Sequence, residues 1–221
     1  MIDDDILFPS WEKVLRDLES LKWHPFVGST IGGMPDDSVV GHLFRAAGAE
    51  HPSYVSGSYL ALRLETVRFP FMSYYNEDWI WCALHSKGAE VATRGEVIHL
   101  PYDPFENAVM KARFQELGEL LVEGVLLAEA ASFRVKLTSR KLWSAAISSR
   151  RSWIELLDAL DVPKRLKGTK AAVIESIRRI HSRTDATKLS KCISQVLGDG
   201  PRFTRQLDTL IRASGISGKQ G

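Results

Sequence analysis

Residues 54–88 place a strand pattern directly before a helix start, and this order restricts the chain to a fold that mixes strands and helices. The run Tyr-Val-Ser-Gly-Ser-Tyr-Leu-Ala-Leu-Arg from Tyr54 has the β-branched and aromatic character of a strand, and Gly57 within it lets another group approach the backbone closely. Asn76 then stands where a helix cap belongs, followed by two carboxylates in the first turn. From Phe133 onward only helical periodicity remains, so the sequence predicts an α/β protein whose strands lie in its first part.

The carboxylates of that first turn, Glu77 and Asp78, are followed by Trp79 and Trp81 and preceded by Tyr75. A carboxylate against an apolar wall has a raised pKa, which suits a general base near neutral pH. The structural alternative is that the two acids only complement the helix dipole while the tryptophans belong to the core. The stretch by itself favours neither interpretation.

Two further features carry candidate metal chemistry. Asp3 and Asp5 flank Asp4 between apolar residues. Side chains two residues apart on an extended chain point to the same side, so both carboxylates could contact one ion. Oxygen ligands of this kind suit Mg²⁺ or Mn²⁺. The alternative for these residues is an acidic, frayed terminus. His99 ends a Val-Ile-His run that is typical of a strand, where a histidine is either a packed core residue or a ligand.

The charge is unevenly distributed along the chain. Residues 1–132 contain 10 basic and 20 acidic side chains, a net charge of −10, whereas residues 133–221 contain 19 basic and 7 acidic ones, a net charge of +12. We therefore predict two domains, residues 1–132 and a basic, all-helical extension of residues 133–221.

Bulk composition limits the class of protein. The first residues are acidic rather than apolar and basic, no apolar run reaches transmembrane length, and the two cysteines match no metal or redox spacing. The sequence thus predicts a cytoplasmic protein with reduced thiols.

Local patterns predict the remaining elements. Ser10 caps a helix with an apolar face at helical spacing, and Asp103-Pro104 starts a long helix in which Glu116, Glu119 and Glu123 form a solvated acidic face. Residues 34–53 have weak periodicity and are predicted to be a partly irregular surface segment. The basic extension reads as a helix ending before Pro163, followed by helices near residues 168–183, 186–197 and 201–213.

Three motifs in this order resemble one enzyme family. The triple aspartate, the Ser-Gly-x-x-Leu-Ala-Leu strand running into Asn-Glu-Asp-Trp, and the Val-Ile-His strand end are similar to the catalytic half of the GT-A fold nucleotide-sugar glycosyltransferases of the family-2-like group. The likeness covers roughly residues 1–105. It implies a partial GT-A-like mixed sheet with flanking helices, followed by the all-helical C-terminal appendage.

The resemblance also implies the roles of the site residues. The aspartates of the DxD motif, Asp3 and Asp5, bind the divalent metal of the donor diphosphate, Mn²⁺ or Mg²⁺, and His99 completes its shell. Asp78, paired with Glu77, is the catalytic base of an inverting transfer from a nucleotide-sugar donor to an acceptor hydroxyl. The implied substrate-binding residues are Gly57, Ser58, Trp79, Trp81 and Tyr75.

One departure from the family concerns the start of the chain. A GT-A domain places about three strand–helix units, which bind the nucleotide, before its aspartate motif. Here the motif begins at residue 3, so the sequence is expected to be a fragment that lacks these nucleotide-binding units.

The implied partners are the donor and a glycan or lipid-linked acceptor, with peripheral contact between the basic extension and an anionic membrane. The alternative is that the extension packs on the acidic segment and balances its charge.

Other readings of the sequence remain open. The segments from Trp153 to Pro163 and after Gly168 resemble a SAP-type helix pair. The second hypothesis is therefore a non-catalytic protein that uses the extension to bind nucleic acid or another partner. Of these two ligands, nucleic acid is the less favoured. A metal-dependent phosphoesterase is disfavoured because no second set of His and Asp ligands follows the aspartates.

Overall fold

The computed structural model of the chain describes residues 6–7, 10–35, 37–49, 56–86 and 92–213. These residues form an α/β fold with a mixed sheet. Its strands are β1 (Ile6–Leu7), β2 (Phe26–Gly33), β3 (Ser56–Leu62) and β4 (Ala92–His99). Its helices are α1 (Trp11–Ser20), α2 (Val39–Ala46), α3 (Glu77–Ser86), α4 (Ala108–Ala130), α5 (Arg140–Ala159), α6 (Lys167–His181) and α7 (Ala186–Ala213).

The sheet has the strand order β1-β4-β2-β3. β2 and β4 run parallel at its centre, while β1 and β3 pair antiparallel at the edges. A register shift interrupts the β2–β4 ladder, and Gly95 of β4 has a positive φ of 62° there. The hydroxyls of Ser29 and Thr30 donate to the carbonyls of Arg94 and Gly95, so side chains satisfy backbone groups at the irregularity.

Helix α1 begins as predicted, because the Ser10 side chain accepts a hydrogen bond from Lys13 N at 3.3 Å. Part of its apolar face, however, is turned outward: Trp11 is 67% exposed and Leu15 64% exposed, whereas Val14 packs against a cluster of sheet residues. The inward face also carries Asp17, which is 1% exposed and bonded to Lys13 Nζ at 2.5 Å. Helical spacing alone does not reveal which face contacts the sheet.

Helix α2 lies within residues 34–53, which we predicted to be a partly irregular surface segment, and the surface part of that prediction was wrong because most of the helix is buried. Ser38 caps the helix by accepting from Gly41 N, and Gln115 Oε1 of α4 accepts from Val39 N. Leu43 and Phe44 are fully buried against α4, α5 and α6. Packing against distant helices therefore stabilises a segment whose own sequence pattern is weak.

Helix α3 lies between two apolar cores. Trp81 and Cys82 pack with Phe26 and Leu60 of the sheet. Ile80 packs on the other side, in a cluster with residues of α4, α5 and α7. The helix that carries the predicted catalytic acids is thus held by both the sheet and the helical region.

The described part of the region beyond Phe133 contains helices and no strand, as the sequence predicted. Trp143 of α5 and Leu189 of α7 are buried in the same cluster as α4 residues. Helix α7 continues through Pro201, where we predicted a break, and its Phe203 and Leu207 pack against the sheet-side cluster. The division into two domains at residue 132 stays a prediction.

No helix within the described ranges is long and apolar enough to cross a membrane.

Candidate functional site at the carboxyl ends of two parallel strands

The carboxyl ends of β2 and β4 meet at one edge of the sheet, where Gly33 pairs in register with His99. Gly33 has a positive φ of 77°, and a Cβ atom there would lie 3.1 Å from the His99 carbonyl oxygen. Ligand sites of open sheets gather at the carboxyl ends of parallel strands. This edge is therefore a candidate functional site.

His99 is 5% exposed at the end of β4. Its Nδ1 lies 3.0 Å from the carbonyl oxygen of Leu100. Because a carbonyl only accepts, Nδ1 carries the proton of this hydrogen bond. Metal-binding histidines commonly have their second nitrogen fixed in this way.

A second histidine, which the sequence analysis did not single out, lies at the same edge. His42 of α2 is 6% exposed, and its Nε2 lies 2.8 Å from the hydroxyl of Tyr102. The Tyr102 ring also contacts His99, with ring centroids 5.4 Å apart, and its hydroxyl donates to the Pro35 carbonyl at 3.3 Å. One tyrosine thus connects both histidines.

The loop that joins β2 to α2 adds a buried ion pair, in which Asp37 is 7% exposed and accepts from Arg45 Nε. The signal that could have found this region is Ser38 before Val39-Val40 and Leu43-Phe44, which is the pattern of a capped, buried helix.

The predicted catalytic acids, Glu77 and Asp78, occupy the first turn of α3 and are half-buried. Asp78 lies on the sheet-facing side, next to Cys82. Burial raises the pKa of the Cys82 thiol, and the charge of Asp78 raises it further. This side of α3 is the one that packs on β2 and β3.

The chain enters α3 through a strained, closely packed turn. Asn76 has a φ of 58°, and its side-chain amide donates to Glu119 Oε1 at 3.4 Å. The Tyr75 carbonyl lies against Gly118 of α4, where a Cβ atom would be only 2.0 Å from that oxygen. The position of the acid pair therefore depends on α4.

The predicted aromatic residues have different environments. Trp81 is 1% exposed, with Phe71 stacked at 5.0 Å and His85 at 3.8 Å between ring centroids, and its indole N–H donates to the Phe69 carbonyl. Trp79 and Tyr75 are half-buried, and Trp79 lines a cleft between α3, α4 and α5.

Ser58 and Gly57 lie on β3, where Ser58 is 3% exposed. Asp3 and Asp5 are outside the described residues, so their role as metal ligands together with His99 stays a prediction. Within the described ranges, no group of three or more His, Cys, Asp or Glu side chains could hold a metal ion.

Acidic side chains of α4 belong to a buried ionic network next to α3. The prediction that they form a solvated acidic face was therefore wrong for Glu116 and Glu119. Glu116 is 1% exposed and Glu119 9% exposed. Arg150 Nε and Nη2 donate to the two oxygens of Glu116 at 3.1 Å, and its Nη1 lies 3.2 Å from Glu119 Oε2. His181 Nε2 lies 2.6 Å from Glu116 Oε1. The network joins the turn before α3 to α4, α5 and α6.

Stability should fall at acid pH because of Glu116. Burial acts to raise the pKa of this carboxyl, but the charge of Arg150 and the hydrogen bond from His181 outweigh it and hold the pKa below its ordinary value of 4.5. Such a group stabilises the fold fully above its unfolded-state pKa and ceases to do so as pH falls through the folded-state value. We expect the unfolding free energy, measured with urea, to fall below about pH 4.5 and to fall less steeply in Glu116→Gln. An equally steep fall in the variant would contradict this assignment.

No protein-family model, curated protein or solved structure matches this chain.

Proposed function

We propose that the chain carries the catalytic part of a nucleotide-sugar glycosyltransferase, which transfers a sugar to an acceptor hydroxyl with inversion. The observation that supports this most is the position of His99, at the carboxyl end of β4 and beside the end of the parallel strand β2. The same half of the chain has an acid pair at the start of α3 and the Ser58 strand on the neighbouring edge of the sheet.

His99 is proposed as one ligand of a divalent ion, Mn²⁺ or Mg²⁺. Its Nδ1–H bond to the Leu100 carbonyl fixes the orientation of the ring, as is common for metal-binding histidines. Asp3 and Asp5 would supply oxygen ligands. When bound, such an ion neutralises the charge of a diphosphate leaving group.

Asp78 is proposed as the base that accepts the proton of the acceptor hydroxyl, with Glu77 beside it. Its position in the first turn of a helix orients the carboxylate on a rigid element, and its half-buried environment excludes part of the solvent. Tyr75 and Trp79 remain proposed sugar contacts, since aromatic rings stack on sugar faces and exclude water.

The proposed partners are a nucleotide-sugar donor and a glycan or lipid-linked acceptor. The basic side chains of the extension support peripheral contact with an anionic membrane, since several of them, including Arg140, Lys141, Lys164 and Arg165, are exposed.

The second candidate function is a binding protein that uses this basic surface for nucleic acid or another acidic partner. The observation that favours it is the segment between α5 and α6, where Lys164 and Arg165 are exposed in a short 3₁₀ turn and Lys167 follows at the helix start. Retention on RNA or DNA that decreases steeply with salt, without any effect of sugar nucleotides, would favour this function.

In a form of the protein that has sugar-transfer activity, Asp78→Asn should lower sugar transfer by about 100-fold while donor affinity changes by less than about 2-fold, because a general base acts on the acceptor proton and not on donor binding. The measurement is release of nucleoside diphosphate from a panel of nucleotide sugars with Mn²⁺, beside calorimetric titration of each donor. The matched control is Asp208→Asn, which removes an exposed carboxylate of α7. Unchanged turnover in Asp78→Asn, or loss of donor binding with turnover per bound donor retained, would contradict the proposed role.

A further inference from the structure

A cleft between α3, α4 and α5 shares Trp79 with the proposed sugar contacts, but its second indole ring and its carboxylates have no part in the proposed transfer reaction. It has a volume of about 260 Å³. Its walls include two indole rings, Trp79 and Trp153, with apolar side chains of α4 between them, and its polar lining residues are Glu119, Glu123 and Arg150. The volume suits a small head group rather than a whole nucleotide sugar.

The charge around this cleft is negative. Arg150 is the one basic side chain among the lining residues of the described cleft, and it already contacts Glu116 through two hydrogen bonds and Glu119 through an ion pair. Glu123 is a third carboxylate close enough to act on Arg150 electrostatically. Two lining carboxylates stand against one lining guanidinium, and Glu116 behind them is paired with both Arg150 and His181. The excess of negative charge on the lining favours a cation over an anion.

The aromatic walls favour a particular kind of cation. The face of an indole ring is the strongest site for cation–π attraction in proteins, and the attraction is greatest for cations that shed water easily. Mg²⁺ and Ca²⁺ require several oxygen ligands and lose water reluctantly, so an apolar cleft with two carboxylates on its lining suits them poorly. A quaternary ammonium group combines positive charge with an apolar surface.

We propose that the cleft lined by Trp79, Trp153, Glu119 and Glu123 is a binding site for a small organic cation of the quaternary ammonium class. The indole rings contact the methyl groups of the ligand, and the carboxylates supply the compensating charge. The site shares Trp79 with the proposed sugar contacts, but choline binding is measured without donor or acceptor, so its failure is distinguishable from failure of the proposed enzymatic function.

The test uses choline as the probe and 3,3-dimethyl-1-butanol as its neutral isostere, which replaces the nitrogen by carbon and keeps the shape. In proton NMR titrations of the full chain, the choline methyl resonance should shift upfield, because ring currents shield groups that lie over an indole face. The isostere should bind about 10-fold more weakly, since it lacks the charge that the rings and carboxylates recognise.

Variants locate the site. Glu123→Gln keeps the shape of a half-buried side chain and should weaken choline binding by about 3-fold, whereas Glu129→Gln removes the same charge from the end of α4, away from the cleft lining, and should leave binding unchanged. Trp153→Leu should abolish the upfield shift, with folding checked by circular dichroism.

Equal affinity for choline and its neutral isostere would overturn the proposal, because the cleft would then recognise only apolar shape. Absence of any choline shift, or equal weakening by Glu123→Gln and Glu129→Gln, would overturn it as well. Binding of a neutral monosaccharide that displaces choline and is lost in Trp153→Leu would assign the cleft to sugar recognition instead.

Discussion

Replacement of Arg150 by methionine is expected to lower the free energy of unfolding by about 4 kcal/mol. The guanidinium is 3% exposed and is the cation that pairs with both Glu116 and Glu119. Its removal leaves two buried carboxylates without that compensation, and the cost of an uncompensated buried charge exceeds the net value of the pair itself. Urea unfolding followed by tryptophan fluorescence and by far-ultraviolet circular dichroism measures the change.

The neighbouring residue supplies a matched control. Arg151 is exposed and donates to the His181 carbonyl, so Arg151→Met should cost no more than about 1 kcal/mol. Combining Arg150→Met with Glu116→Gln should recover part of the loss, with a coupling energy of about 1 to 3 kcal/mol. Equal losses for the two arginine variants would show that the network does not stabilise the fold as described.

Substitution of Gly118 by valine is expected to lower the free energy of unfolding by about 3 kcal/mol. A Cβ atom at this position would lie 2.0 Å from the Tyr75 carbonyl oxygen and 2.7 Å from its carbonyl carbon. Backbone cannot rotate away as a side chain can, so the turn before α3 has to move off α4. Proton NMR spectra should therefore show altered resonances from α3 as well as lower stability.

Two other helical glycines serve as controls, because adding a side chain to them creates no contact with another part of the structure. A Cβ atom added at Gly168 of α6 or at Gly198 of α7 would have no heavy atom within 4 Å beyond its own stretch of helix. Replacing either by alanine should stabilise the chain by up to about 1 kcal/mol, because alanine has the higher helix propensity. A Gly118→Val variant that is as stable as the wild type would contradict the close contact between Tyr75 and α4.

Several elements were predictable because their signals are local. Ser10 caps α1, the strand that contains Gly57 and Ser58 forms β3, and the acid pair begins α3. His99 ends a strand, as the Val-Ile-His run indicated. Caps, turns and alternation depend on neighbours a few residues away, so the sequence contains the necessary information.

Other features depend on partners that are distant in sequence. Glu116 has the spacing of a solvated helical face, but Arg150, which is 34 residues away, and His181, which is 65 residues away, bury and pair it. Pro201 was expected to interrupt α7. The helix continues through it, and the preceding Gly200 packs tightly on the Phe69 ring and the Arg68 carbonyl. Nothing in the local sequence identifies these contacts.

The α3 tryptophans illustrate the same limit. Trp79 and Trp81 are two residues apart and were predicted to share one substrate surface. On a helix this spacing directs them to different sides, so Trp81 packs in the sheet-side core and Trp79 lines the cleft beside α4. The tertiary environment, rather than the residue type, separates a core indole from an accessible one.

The most direct test of the proposed function is an electron paramagnetic resonance titration of Mn²⁺ with and without a nucleoside diphosphate. We predict saturable Mn²⁺ binding that the diphosphate strengthens, and a loss of affinity of about 10-fold in His99→Gln but not in the control His24→Gln. Absence of saturable Mn²⁺ binding, or equal affinity in His99→Gln and the wild type, would contradict the assignment of the edge between β2 and β4 as the metal site of a glycosyltransferase.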